Sequence, residues 1–114
     1  TASGNETYLF EKKLHNLKRI RESGIIEYLK TTLNNPVIIL FGSYANGEDD
    51  EESDIDIYIE TPSEKKIDLK KFENELQRDI QILRHKNIRD VKNPHLANNI
   101  INGITLNRHL EVFS

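Results

Sequence analysis

Apolar positions along this chain change their spacing several times, and each change marks an element. Phe10, Leu14 and Leu17 recur at helical spacing, with Leu9 and Ile20 beside them, so a helix is expected from Thr7. The small, polar Thr1–Glu6 before it reads as a frayed end or a linker. Lys12, Lys13, Lys18, Arg19 and Arg21 fill the other face of this helix. They read as a solvated face, with a docking surface for an acidic partner or nucleic acid as the sharper alternative. Ser23-Gly24 interrupts the pattern. Ile25, Leu29 and Leu33 then predict a second helix, and Asn34-Asn35-Pro36 stops it, because the residue before a proline is pushed out of helical geometry. The helical N-terminal part therefore covers about residues 7–33.

The spacing becomes extended at Val37. Val37–Phe41 is a continuous apolar run, as expected of a strand covered on both faces. Gly42-Ser43 ends it. Asp54–Ile59 alternates strictly, which puts Ile55, Ile57 and Ile59 on one face and Asp54 and Asp56 on the other. Between the strands lies Glu48-Asp49-Asp50-Glu51-Glu52. Like charges at this density stay in water, so the run reads as an exposed loop; a second reading makes it a metal-attracting lip beside Asp54 and Asp56.

After a loop at Thr61-Pro62-Ser63, a third helix is expected from about Asp68, its candidate N-cap, to Arg78, with Leu69, Phe72 and Leu76 as its buried stripe. Ile80–Leu83 reads as a strand with Asp79 and Gln81 on one face and Ile80 and Ile82 on the other. His85–Asn93 reads as a loop with a helical turn. Pro94 opens a further helix carrying Leu96, Ile100 and Ile101, and Gly103 ends it. Ile104–Leu106 and Leu110–Phe113 are expected to form a hairpin about Asn107-Arg108. The sequence of elements predicts an α/β fold, a small mixed β-sheet flanked by helices.

Composition narrows the classes. A chain of 114 residues with 36% hydrophobic content suits one domain with one core. A net charge of −3 gives no general nucleic-acid footprint, so direct DNA binding by this segment is not expected. There is no cysteine, hence no disulfide, zinc thiolate or cysteine nucleophile. No membrane-spanning run or signal peptide is visible, which points to the cytoplasm. His15, His85, His95 and His109 are scattered, without metal-ligand spacing. Position 1 is not methionine, so sequence upstream of Thr1 is expected.

The chemistry concentrates between Val37 and Glu60. Two carboxylates on one strand face repel each other unless a cation lies between them. Hard divalent cations such as Mg²⁺ are commonly held by one or two carboxylates together with substrate phosphates. A Gly-Ser turn entering a helix offers backbone N–H groups and a hydroxyl to an anion. A phosphate turn beside a carboxylate pair is the chemistry of a nucleoside triphosphate site.

Gly42-Ser43, followed by Ala45, Gly47 and then Ser53-Asp54-Ile55-Asp56, resembles the GS…G…SDxD signature of the polymerase-beta-type nucleotidyltransferases. The likeness is greatest to the minimal nucleotidyltransferases of prokaryotes, small domains often paired with a helical HEPN protein. The resemblance implies the nucleotidyltransferase fold, with residues 1–114 forming a single minimal domain. It implies transfer of a nucleoside monophosphate from an NTP, with ATP the first candidate, to a hydroxyl acceptor. Asp54 and Asp56 would hold Mg²⁺ or Mn²⁺, and Gly42, Ser43 and Ser53 would bind the nucleotide. A HEPN-type partner protein is the implied acceptor or binding partner.

The chain departs from this pattern at one position. Relatives carry a third carboxylate on the strand after the next helix, where it completes the metal site and helps take the acceptor proton. Here that position is Gln81, which can accept a hydrogen bond but carries no charge and cannot act as a base. Asp79, two residues earlier on the same face, is the candidate substitute, giving Asp54, Asp56 and Asp79 as the catalytic set. The alternative is a catalytically weakened, antitoxin-like domain that binds a nucleotide or a partner. A third reading is a DNA-linked regulator whose DNA-binding segment lies upstream of Thr1.

Overall fold

The structure, a computed structural model, describes the backbone of residues 2–108 and the side chains of residues 6–108. Four strands, β1 (Val37–Phe41), β2 (Ile55–Glu60), β3 (Ile80–His85) and β4 (Ile104–Asn107), form one mixed sheet in the order β3-β2-β1-β4. β1 is antiparallel to both of its neighbours, and β2 and β3 are parallel. Helices α1 (Ala2–Ser23), α2 (Ile25–Thr32), α3 (Gly42–Asn46), α4 (Lys70–Leu76) and α5 (Pro94–Ile101) connect and cover them. The fold is α/β.

Each sheet face has its own core. Ile38 and Leu40 of β1 join Ile55, Ile57 and Ile59 of β2 against Ile20, Leu29 and Phe72 from the helices. Val37, Ile39 and Phe41 point the other way, with Tyr58, onto Ile88, Val91 and Ile100. β1 is thus buried on both sides, which is why its sequence shows no alternation. β2 alternates because one of its faces carries Asp54 and Asp56 at the sheet end before passing under the second core at Tyr58. Among the described residues, no helix is long and apolar enough to cross a membrane.

Several expectations are corrected. α1 begins at Ala2, so Ala2–Glu6 is helical rather than frayed; once a helix is nucleated, each added residue costs little. The Phe10–Leu14 stripe is not core: Phe10 and Leu14 are exposed, and Asn16 and Ile20 face inward instead. A helix of this length spans about 33 Å, and its N-terminal half is covered along Leu9 and Lys13 by the Gly47 turn, which leaves Phe10 and Leu14 outside. Asp68 accepts a hydrogen bond from the Lys70 N–H at 3.1 Å, but Leu69 is the residue at the α4 N-cap. β3 continues to His85, whose ring stacks on Tyr58, and the following turn is a 3-10 segment, Ile88–Asp90. β4 pairs with β1, and Leu110–Phe113 and His109 lie outside the described residues. The acidic run is not uniformly solvated, because Asp49 is buried.

Candidate functional site

The site begins where β1 runs out. Phe41 is the last extended residue, and Gly42 turns the chain with φ +81°, a left-handed value that disfavours any side chain. A Cβ on Gly42 would also collide with Oδ2 of Asp56. The missing side chain therefore lets the Gly42-Ser43 turn and the Asp56 carboxylate share one small space. Gly42 is the first residue of α3 and Ser43 the second, and Gly47 closes it with φ +73°. A Cβ on Gly47 would meet the Leu9 carbonyl at 2.7 Å, so this turn is seated directly on the α1 backbone.

Strand register brings the rest together. Asp56 lies opposite Phe41 on β1 and opposite Gln81 on β3. Gln81 Nε2 donates to Asp54 Oδ2 at 3.4 Å. Gln81 thus stands beside the carboxylate pair, on the face that the alternation of β3 assigns to it. Burial, and secondly the charge of Asp54, push the Asp56 carboxyl above the usual carboxylate range. Asp79 lies just before β3, where its carbonyl accepts from the Ile55 N–H at 2.9 Å. Among the described residues, no group of three or more His, Cys, Asp or Glu side chains is gathered as a metal would need. Asp79 is therefore near the pair without forming a three-acid cluster with it.

Ser53 is occupied locally. Its hydroxyl donates to Asp50 Oδ1 at 3.1 Å and accepts from the Asp50 N–H at 3.0 Å, stitching a tight turn just before Asp54. The Asp50 carboxyl is held below the ordinary carboxylate range, mainly by the Glu52 N–H and then by Ser53.

Two clefts flank the carboxylates. One, of about 330 Å³, is lined by Gly42, Ser43 and the carboxamides Asn46, Asn99 and Asn102. The other, of about 390 Å³, lies on the β3 side between Ser53, Asp54, Asp79, Lys70 and Arg78. Sequence reasoning missed the carboxamides. The only available signal was an unusual density of asparagine on α5, which reads equally well as an exposed polar helix face. The residues fit a divalent cation. Asp56 sits where a glycine keeps space open, burial and then the charge of Asp54 disfavour its ionised form when no cation is beside it, and phosphate oxygens would complete an oxygen ligand set.

A family model described as "Polymerase beta, Nucleotidyltransferase" matches residues 23–109, well over half of the chain. No curated protein and no solved structure matches it.

Proposed function

Because this chain belongs to the polymerase beta nucleotidyltransferase family, we propose that it takes an NTP, with ATP as the first candidate, and passes the nucleoside monophosphate to a hydroxyl acceptor. The observation that supports this reading most is the register that sets Asp56 against the Gly42 turn on one side and Gln81 on the other.

Asp54 and Asp56 would hold Mg²⁺ or Mn²⁺, and Gly42, Ser43 and the Ser53 turn would position the triphosphate. The metal, when bound, neutralises charge on the phosphates and on the leaving pyrophosphate. In the reaction the acceptor oxygen bonds to the α-phosphorus while the bond from that phosphorus to the bridging oxygen of pyrophosphate breaks. The backbone turn at Gly42-Ser43 orients the β,γ-phosphates so that this bond lies in line with the acceptor. The acceptor proton is the weak point. Gln81 cannot take it, and Asp79 is the carboxylate left to do so.

That weakness carries the second reading, a nucleotide- or partner-binding regulatory domain with little transfer activity. It rests on Gln81 contacting Asp54 where an acid would stand in relatives. In both readings the chain acts as one minimal nucleotidyltransferase domain, and a HEPN-type protein is the candidate acceptor or partner. The test is incubation of the protein with each labelled NTP, Mg²⁺ or Mn²⁺, and a HEPN-type protein. Label on the partner, with pyrophosphate released, is the expected result. Tight Mg–NTP binding with no label moved would favour the regulatory reading, and no NTP binding at all would overturn both.

A further inference from the structure

Asp49 lies outside the candidate site, yet its side chain is only 1% exposed and it is bound from three directions. Arg78 donates to its Oδ2 at 3.0 Å. Asn16 Nδ2 donates to its Oδ1 at 2.8 Å, and also to the Tyr44 carbonyl at 2.9 Å. Lys12 reaches its Oδ1 at 3.5 Å and donates to its carbonyl. Burying an unpaired carboxylate is prohibitive, so this set holds together as a unit or not at all.

The partners of Asp49 are the roots of the site. Tyr44 belongs to α3, the helix that follows the phosphate turn. Asp49 leads into the turn stitched by Asp50 and Ser53, which delivers Asp54 and Asp56. Arg78 precedes Asp79 and Gln81, and lines the cleft beside Asp54. Asn16 and Lys12 fix all of these to α1. One carboxylate therefore joins the segments carrying the phosphate turn, the Asp54–Asp56 pair and the start of β3, and of the side chains that line the two clefts it bonds Arg78.

We propose that Asp49 is a positioning residue: through Asn16 and Arg78 it sets the relative placement of the phosphate turn, the Asp54–Asp56 pair and the start of β3. The inference rests on the nucleotide-binding reading above. It goes beyond stability alone, because the geometry it maintains is that of groups meant to share one metal and one triphosphate. Ligand groups displaced by about an ångström lose much of their effect.

The test measures Mn²⁺–ATP affinity by electron paramagnetic resonance alongside the melting temperature, in the full chain. Three proteins are compared: the parent, Asp49→Asn, and the double variant Asp49→Leu, Arg78→Met. The double variant replaces the Asp49–Arg78 pair by apolar groups of similar shape and leaves the partly exposed Lys12 its bond to the carbonyl of residue 49, so its fold is expected to survive where a lone substitution could fail. Expected is a parent-like melting temperature in the double variant with Mn²⁺–ATP affinity reduced about tenfold or more and affinity for Mn²⁺ without ATP reduced as well; because losing the Arg78 cation beside Asp54 would by itself strengthen metal binding, a loss confined to Mn²⁺–ATP would show that Arg78 contacts phosphate directly and would overturn the inference. Affinity restored together with stability would make Asp49 merely structural and overturn the inference alone. A parent that binds no Mn²⁺–ATP would overturn the reading beneath it, and this inference with it.

Discussion

Asp49 and the Asp54–Asp56 pair lie within one short acidic stretch and are built on opposite terms. Asp49 is buried and satisfied by an arginine, a lysine and an asparagine. Asp54 and Asp56 are partly open, and Asp54 accepts from the neutral amide of Gln81. The protein therefore spends its countercharges on the carboxylate that holds the loop and leaves the pair with charge to spare. A carboxylate completed by the protein stabilises a shape; a pair left incomplete is a place for a ligand.

The contrast can be broken by experiment. The largest effect is expected at Asp49. Asp49→Ala leaves Arg78 and Lys12 without their partner and should cost about 3–5 kcal/mol in chemical denaturation. Glu51→Ala, two residues on and exposed, should stay within about 0.5 kcal/mol. Equal costs would remove the distinction between the two kinds of acid.

Next comes the pair itself. The double variant Asp54→Asn, Asp56→Asn should fold at least as well as the parent yet lose about a hundredfold or more in Mg–ATP affinity by calorimetry. Unchanged affinity would show that these carboxylates are not the ligands. Gly42→Val should lose affinity to a similar degree in a folded protein, because its side chain would displace Asp56 as well as distort the turn.

Gln81→Asp sharpens the same comparison. An added acid supplies the missing base and should raise the transfer rate about a hundredfold, with NTP affinity changing much less. If Asp79 is the working base instead, Asp79→Asn abolishes transfer and Gln81→Asp does little.

The smallest effect is a pH dependence. Asp56 titrates above its unfolded value, so the folded state favours its protonated form. That contribution is fully present below the ordinary carboxylate range and is lost as pH rises through the raised value. Asp56→Asn should therefore be more stable than the parent at neutral pH, by a small margin because solvent screens a partly open carboxylate. The difference should shrink as pH falls through that window; an advantage independent of pH would point away from charge.

The sheet was legible because its strands announce their surroundings. An unbroken apolar run of five between Pro36 and Gly42, rich in β-branched residues, suits a strand covered on both faces, and the Ile-Asp alternation of β2 separates core from site. Gln81 was legible for the same reason, since period two fixes its face once Ile80 and Ile82, both partly buried, are set against the core. Asp49 was not legible. Nothing in five consecutive acids distinguishes the second, and its partners Arg78, Lys12 and Asn16 come from 29 to 37 residues away. The same limit applies to α1. Helical periodicity shows that Phe10 and Leu14 share a stripe with Leu17, but not that the Gly47 turn covers the Leu9–Lys13 side instead.

α1 also bears on where this module begins. The family resemblance starts at residue 23, after nearly all of this helix. The physical unit reaches further back. Ile20 closes the core against α2 and the sheet, Leu9 receives the Gly47 turn, and Asn16 and Lys12 complete the shell of Asp49. A chain cut at the start of the resemblance would keep every motif residue and lose the scaffold that aligns them. In this protein heritable similarity and mechanical integrity have different borders, and the excision that preserves function must follow the second.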